Sequence, residues 1–264
     1  MRFQILGPLL VSREADGPPL ALGPPKQRCL LAALLLEANR VVSLERLAAT
    51  IWDADAPASW AANVRTYASG LRTVLADPAA DGGRLLSRSP GYGLTVAEHE
   101  LDLAEFRRLA GWGRSALAAG DAYTAVANLD LALDLWRGSA AEDVRRSAAF
   151  DRRLAAVDEE RLAAVEDWVD ARQMLGRHRP LVLELRELTD RHPLRERLWA
   201  ALMLALYRSG DASGALEAYR QARGRLAGDL GLDPGPALVR LQQAVLARDG
   251  ALDSPSTRWT DPAG

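Results

Sequence analysis

Several residue types are scarce in this 264-residue sequence, which has one cysteine, three histidines and one lysine. Cys29 has no partner for a disulfide within the chain, and such usage is typical of a reducing compartment. No apolar run reaches the roughly 18 residues that span a membrane. Gly7 and Pro8 interrupt the N-terminal apolar pattern, so this segment does not resemble a signal peptide. We therefore expect a cytoplasmic protein with no membrane partner.

The residue combinations that support metal or nucleophilic catalysis are also missing. The three histidines are isolated from one another, and no HExxH, CxxC or GxSxG arrangement occurs. The segment GPPK at 23–26 is not a phosphate-binding loop, because it lacks the second glycine and the hydroxyl residue. We expect no catalytic residue, no metal and no cofactor, so an enzyme is disfavoured.

No excess of positive charge marks the chain as a nucleic-acid binder. It carries 33 Lys and Arg against 35 Asp and Glu, a net charge of −2. The first 100 residues hold ten charges of each sign, whereas residues 59–93 hold four arginines and two aspartates. Since DNA-binding domains are usually basic, any DNA contact has to rely on a small local group of arginines.

The composition that remains is that of a folded protein with more than one part. It is 48% hydrophobic and 26% charged, near the globular average, and the length predicts one or two domains. Short strand-like runs alternate with helices before about residue 100, and helical periodicity dominates after it. We predict a mainly α protein in which an α+β winged helix-turn-helix at 1–97 precedes an all-α, tetratricopeptide-like domain at 98–250, with a flexible tail at 251–264.

The first hundred residues follow the order of a winged helix-turn-helix: hairpin, helix, short strand, two helices and a second hairpin. Left-handed and N-cap positions are predicted at Asn39, Ser43 and Ser59. The predicted elements are strands at 2–6, 9–11 and 20–22, a helix from Pro24 to Ala38, a short strand at 41–42, helices at 44–52 and 59–75, and a hairpin at 85–96.

Glycines divide the second half into helical units. Gly176 and Gly210 are 34 residues apart, the tetratricopeptide period. The units that follow Gly120 and Gly210 carry a small residue at +12 and a large one at +16, whereas the unit after Gly176 does not. The spacing predicts a degenerate helical-repeat array. The residues at these positions are Ala132, Trp136, Ala222 and Leu226, with Leu188 and His192 in the irregular unit.

The helix at 59–75 has one apolar face and one face of small polar residues. At 100° per residue, Val64, Tyr67, Ala68, Leu71, Val74 and Leu75 form one stripe, which predicts the buried side. Arginine can bond guanine bidentately, and threonine or serine can contact base edges in a major groove. We predict this as a recognition helix, although a solvated surface face remains the simpler alternative. The candidate residues are Arg65, Thr66, Ser69 and Thr73, with Asn63 and Arg72 on the flanks nearer the phosphates.

The second hairpin carries further positive charge beside a Ser-Pro-Gly turn. Arg84, Arg88 and Tyr92 lie on or next to it. A projecting ribbon of this kind can insert an arginine into the minor groove, where the negative potential is deepest. We predict that this hairpin is the wing.

Several segments resemble one known family, the Streptomyces antibiotic regulatory proteins, which join an OmpR-type winged helix to a bacterial transcriptional activator domain. The first half matches through GPPKQRCLLAALLLEANRVVSLERLAATIWDADAP, AANVRTYASGLRTVL and SPGYGL. The second half matches through LDLAEFRRL, LDLALDLWRG and HPLRERLWAALMLALYRSGDASGALEAYRQARGRLAGDLGLDPGPAL. The resemblance covers about residues 2–248.

The resemblance implies a transcriptional activator of secondary-metabolite, or antibiotic, operons. Members bind direct repeats in double-stranded promoter DNA near the −35 element as head-to-tail homodimers, and they recruit RNA polymerase through its sigma factor and other subunits. It also implies that Lys26 and Arg28 match the basic segment of the first helix. Members commonly have arginine at the positions of Gly70, Thr73 and Gly93, so we expect weaker DNA binding here and more dependence on partners.

Two other regulatory roles stay open at the level of sequence. The helical repeats could form a protein-binding adaptor, with aromatic residues such as Trp168 more typical of core than of a ligand cage. A DNA-binding repressor is the other alternative. A salt titration separates an adaptor from a DNA binder, because only the latter loses affinity steeply with salt.

Overall fold

The computed structural model describes residues 1–14, 17–53, 55–76 and 83–254. It divides into two compact units, Met1–Leu109 with Leu131–Leu162, and Ala110–Asp130 with the chain from Ala163 onward. Among the described residues, no helix has the length and apolarity that a membrane span requires. The division differs from the predicted boundary at residues 97 and 98, because the segment 131–162 groups with the N-terminal residues; that boundary stays a prediction.

The first unit begins with the predicted alternation of strands and helices. Strand β1 pairs antiparallel with β2, and a separate three-stranded antiparallel sheet has the order β3-β5-β4. Helices α1, α2 and α3 pack against one another beside this second sheet. The elements are β1 Arg2–Gln4, β2 Leu10–Ser12, α1 Pro25–Leu36, β3 Val41–Ser43, α2 Leu44–Ile51, α3 Trp60–Val74, β4 Leu85–Arg88 and β5 Gly91–Leu94.

Local capping rules account for some of the boundaries and fail at others. Asn39 has a φ of 66° as predicted, and the Ser43 hydroxyl accepts a hydrogen bond from the backbone N–H of Arg46 at 3.3 Å. The prediction for Ser59 is wrong, because its backbone is not extended and its side chain accepts no bond from a backbone N–H. The strand predicted at 20–22 is reduced to a bridge between Ser12 and Pro19.

The core of the first unit is built from leucines of α1 together with aromatic residues from distant segments. Phe3, Phe106 and Phe150 are fully buried. Cys29 is buried in α1 and its thiol donates to the carbonyl oxygen of Thr50 at 3.5 Å. Burial raises the pKa of this thiol to about 12, although Arg146 opposes the shift. The predicted burial of Cys29 is confirmed, and the raised pKa disfavours the reactive thiolate at neutral pH.

The segment Leu131–Leu162 completes this unit through backbone and side-chain hydrogen bonds to the first half of the chain. The N–H groups of Arg137 and Ala141 donate to the carbonyl oxygens of Leu6 and Ile5, each at 2.8 Å. The Ser147 hydroxyl donates to the carbonyl oxygen of Ala49 at 2.7 Å. These bonds give buried backbone groups partners that the N-terminal residues alone do not provide.

Helices account for most of the remaining chain. Gly120, Gly176 and Gly210 have φ values of 82°, 72° and 90°, so each predicted glycine turn adopts the left-handed conformation. The longest of these helices, α6, has 27 residues. The helices are α4 Asp102–Ala118, α5 Ala122–Leu133, α6 Ala148–Met174, α7 His178–Arg191, α8 Glu196–Arg208, α9 Ala212–Leu230 and α10 Pro236–Ala247.

In the second unit, α8 is the central helix and packs against α7, α9 and α10. Trp199 and Tyr219 are buried in its core, and Trp168, which was predicted as a core aromatic, is partly buried and packs against it. Leu252 is also fully buried there, in a 3-10 helix at Gly250–Asp253. The flexible tail was predicted from residue 251, and this apolar anchor explains why the first residues of that segment are ordered instead; residues 255–264 lie outside the described residues.

Candidate nucleic-acid interface

Helix α3 presents two chemically different faces, in the arrangement that its sequence predicts. Val64, Ala68 and Leu71 have no exposed surface and face α1 and α2. The other side exposes Arg65, Thr66, Ser69, Arg72 and Thr73 to solvent, and Asn63 is half-buried at the edge. The burial of one stripe fixes the rotation of the helix, so the hydroxyl-rich face is held outward.

The threonine hydroxyls of this face are oriented by the helix itself. Thr66 Oγ1 donates to the carbonyl oxygen of Ala62 at 3.1 Å, and Thr73 Oγ1 donates to that of Ser69 at 3.3 Å. Each hydroxyl donates its hydrogen to a backbone carbonyl oxygen, and its lone pairs stay available to accept hydrogen bonds. This face can therefore accept hydrogen bonds from amino groups at base edges and offer methyl groups to thymine.

Arg72 attaches the hairpin of β4 and β5 to α3. Its Nε donates to the carbonyl oxygen of Leu85 at 3.0 Å, and its Nη2 donates to the Ser87 hydroxyl at 2.6 Å. The guanidinium also lies 5.4 Å from the centre of the Tyr92 ring, which is buried beneath it. Arg72 and Tyr92 thus set the position of the hairpin relative to the helix.

Gly91 lets the hairpin approach the start of α2. A Cβ atom at this position would overlap the carbonyl oxygen of Val42, which belongs to the neighbouring strand β3. Because that oxygen is part of the backbone, no side-chain rotation could relieve the overlap. The absence of a side chain at Gly91 is a condition for the observed sheet.

A cleft of about 300 Å³ separates α3 from the hairpin, and the two best-placed arginines meet there. Arg65 from the helix and Arg88 from the hairpin both line it, together with Ser87 and Tyr92. Both arginines are exposed, and in the part of the chain that the structure describes neither has a carboxylate partner. The structure brings together these two residues from separate predicted groups.

Three other predicted residues are not in this cleft. Arg84 donates to both oxygens of Glu100, at 2.7 and 2.8 Å. Arg28 pairs with Asp143 and also donates to the carbonyl oxygen of Leu9 at 3.2 Å. Lys26 lies with its Nζ 4.9 Å above the Trp52 ring. Their predicted DNA contacts stay predictions, and the structure gives Arg28 and Arg84 intramolecular partners.

The environment of Glu100 shows how firmly Arg84 is held. Burial by itself would raise the pKa of this carboxyl, but the Arg84 guanidinium, the backbone N–H of Ala97 and the amino group of Met1 all donate to it. Together they lower its pKa from 4.5 to about 2. The carboxylate is therefore ionised at neutral pH and holds Arg84 in place.

Arg40 is a candidate that the sequence reasoning missed. It is exposed, and it lines a second cleft of about 90 Å³ that also includes Arg88 and Thr95. Its position directly before β3 is the signal that could have identified it, because β3 is the strand to which the wing hairpin is paired. Among the described residues, no group of three or more His, Cys, Asp or Glu side chains could hold a metal ion.

Comparisons with known proteins match both halves of the chain. Residues 19–94 match the family described as transcriptional regulatory protein, C terminal, and residues 101–246 match the bacterial transcriptional activator domain. The regulatory protein AfsR of Streptomyces coelicolor is 44% identical over the whole of this chain, which spans 26% of that protein. The transcriptional regulator RedD of the same species is 36% identical over 99% of this chain and 75% of its own length.

A solved structure is similar along nearly the whole chain. Mycobacterium tuberculosis EmbR in complex with a low-affinity phosphopeptide superimposes with a TM-score of 0.89 at 34% sequence identity, over 97% of this chain and 68% of that one. The fold, the order of the two matched regions and the named relatives agree with the resemblance read from the sequence. The chain belongs to the Streptomyces antibiotic regulatory protein family of transcriptional regulators.

Proposed function

We propose that this protein binds promoter DNA through α3 and the β4–β5 hairpin and activates transcription by recruiting RNA polymerase. The observation that carries the proposal is the cleft in which Arg65 and Arg88 face solvent, neither of them paired with a carboxylate of the described residues. Helix α3 enters the major groove, with Arg65 bonding a guanine and Thr66, Ser69 and Thr73 contacting neighbouring base edges. Arg88 on the hairpin reaches the adjacent minor groove.

Other residues near this surface either contact DNA or hold the fold and the hairpin in position. Arg72 and Tyr92 position the hairpin, and Arg28 and Arg84 stabilise the fold through Asp143 and Glu100. Asn63 lies at the edge of α3 and Arg40 shares a cleft with Arg88, so we assign both to phosphate contacts, which orient a protein on DNA without reading sequence. DNA recognition therefore depends on fewer positive charges than the sequence alone indicates.

Low positive charge favours cooperative binding by two protomers on direct repeats near the −35 element. Each neutralised phosphate contributes about −0.9 to the slope of log K against log salt, so a protomer with few free arginines gains little affinity from the backbone alone. A second protomer and the sigma factor of RNA polymerase supply the rest. The names of the relatives support transcriptional regulation, and we propose secondary-metabolite operons as the targets.

Exposed apolar side chains on the helical part support a protein partner. Tyr123 and Leu183 are 74% and 67% exposed in the second unit. Exposed apolar surface is available to a protein partner, although single exposed apolar residues are also common on protein surfaces. We assign the polymerase contact to this region, which matches the activator domain family.

Binding and activation are tested separately. Fluorescence anisotropy with duplexes that carry two direct repeats, one repeat or a scrambled sequence is expected to give the tightest binding on two repeats and a steep loss of affinity with salt. Arg179→Ala serves as the matched control for Arg65→Ala and Arg88→Ala, because Arg179 is an exposed arginine of the second unit. Salt-independent binding, or equal binding to all three duplexes, would contradict the DNA-reading role.

Transcription with purified RNA polymerase then tests the activator. On a promoter with the repeats and a poor −35 element, we expect more transcript when the protein is added. Reduced transcript would identify a repressor, and specific DNA binding without any change in transcript would contradict recruitment.

A further inference from the structure

A third cleft lies in the first unit, at the start of α1, and its described lining shares only Lys26 with the predicted DNA contacts. Its volume is about 510 Å³, against about 300 Å³ for the cleft between Arg65 and Arg88. The lining residues are contributed by α1, α2, α3 and the segment before α6; they are Pro24, Pro25, Lys26, Ile51, Tyr67, Arg145 and Arg146. Small-molecule sites typically have volumes of about 300–1,000 Å³.

The lining is positively charged and contains no carboxylate. Arg145 is exposed and has no ion-pair partner in residues 1–14, 17–53, 55–76 and 83–254. Lys26 contacts the face of Trp52, which attracts the ammonium group but does not neutralise it. Arg146 is the paired member, bound to Asp151 at 2.7 Å. A concave surface lined by one sign of charge concentrates counter-ions.

Apolar and aromatic groups form the other walls. The two prolines and Ile51 offer hydrocarbon surface, and the Tyr67 ring packs at 6.4 Å from that of Trp52. Within the described part of the chain, the buried Trp52 indole N–H has no hydrogen-bond acceptor. The site therefore combines an anion-attracting rim with a surface suited to a ring or an alkyl group, which bare phosphate or a DNA backbone would not use.

The cleft is also separated from the DNA-reading face of α3. Tyr67 lies about 160° around the helix from Arg65 and about 120° from Thr73. A molecule in the cleft would touch the flank of the reading helix rather than its outer surface. It would also contact α1 and the segment before α6, so its binding would link three parts of the first unit.

We propose that this cleft binds a small organic anion, a phosphate or carboxylate attached to an aromatic or aliphatic body. Lys26 and Arg145 attract the anionic group, and Tyr67, Ile51 and the prolines contact the body. The inference does not depend on the proposed DNA contacts, because ligand binding can be measured without DNA.

Isothermal titration of the full chain with 2-naphthyl phosphate at low salt tests the proposal. We expect saturable binding of one molecule per chain, and at least fivefold weaker binding of uncharged 2-naphthol and of inorganic phosphate. Lys26→Met and Arg145→Ala are each expected to weaken binding by roughly fivefold, in line with single partly exposed charges. Arg152→Ala is the matched control, since Arg152 is an exposed arginine of α6 outside the lining.

The outcomes distinguish a small-molecule site from a general charge effect and from a contact with the DNA backbone. Absence of saturable binding at millimolar concentration overturns the proposal, and so does an equal loss of affinity in Arg152→Ala, which would show a general charge effect. If Lys26→Met and Arg145→Ala weaken binding to scrambled duplex DNA and 2-naphthyl phosphate does not bind, the cleft contacts the DNA backbone and the proposal is wrong.

Discussion

Two pairs of arginines in the first unit differ in the groups that surround their guanidinium ends. Arg28 and Arg84 are bound to the carboxylates of Asp143 and Glu100, whereas Arg65 and Arg88 line an open cleft and have no such partner among the residues that the structure describes. A paired guanidinium has already exchanged its hydration for protein contacts, so it offers little to a phosphate. Counting arginines therefore overestimates the DNA-binding charge of this region, and their partners decide which of them can bind DNA.

The largest expected effect comes from removing a paired arginine. Arg84→Ala leaves the Glu100 carboxylate, which is 7% exposed, with fewer donors. We expect a loss of about 2–4 kcal/mol in the free energy of unfolding, because one partner of a largely buried charge pair is removed. Urea unfolding measures this loss. Arg84→Ala protein that is folded should keep its preference between cognate and scrambled DNA; a loss of that preference would place Arg84 among the reading residues.

Removing Arg65 should weaken DNA binding and leave the stability of the fold almost unchanged. Arg65→Ala is expected to weaken binding to the direct repeat by about 1–3 kcal/mol and to relax the preference at one base pair. The unfolding free energy should stay within about 0.5 kcal/mol of the original, as is usual for exposed positions. Anisotropy on duplexes with single base-pair changes measures both. An equal loss on scrambled DNA would show that Arg65 contacts only phosphate.

Arg88 should affect affinity without affecting sequence preference as much. Arg88→Ala is expected to weaken binding to all duplexes and to reduce the magnitude of the salt slope by about one, because one phosphate or minor-groove contact is lost. A titration from low to physiological salt measures the slope. An unchanged slope would remove the hairpin from the interface.

The pH dependence of stability is the smallest expected effect, and it tests the ion pair between Arg84 and Glu100. Because the pKa of Glu100 is lowered from 4.5 to about 2 in the folded chain, its contribution is fully present above pH 4.5 and is lost as the pH falls toward 2. Removing Arg84 should reduce this loss, since part of the pKa shift disappears with the donor. Unfolding at several pH values in this range, compared with Arg88→Ala, measures the difference. An identical acid dependence in both variants would contradict the assigned role of Arg84.

The sequence was sufficient where the interactions are local. The apolar stripe of α3, the left-handed conformation of Asn39 and the cap at Ser43 each depend on residues within about one helical turn, and all are present. The cap at Ser59 failed because the backbone before α3 is not extended there. Local pattern alone does not contain that information.

Long-range partners explain most of what the sequence could not predict about the site. Asp143 is 115 positions from Arg28, so no spacing rule would join them. Glycine within a helix usually costs stability relative to alanine, but in the structure a Cβ at Gly70 would overlap the buried side chain of Gln27. That glycine has a packing role that only the assembled helices reveal.

The hydrogen bonds between the β1–β2 connection and the segment Leu131–Leu162 have a consequence for making chimeras of such proteins. The carbonyl oxygens of Ile5 and Leu6 accept from that segment, and Asp143 accepts from the N–H of Leu9. A chimera that joins the first 97 residues of one relative to the remainder of another would combine the two sides of this interface from different proteins. The unit that contains α3 and the β4–β5 hairpin is therefore discontinuous in sequence, and a chimera that preserves these hydrogen bonds has to carry residues 131–162 along with residues 1–109.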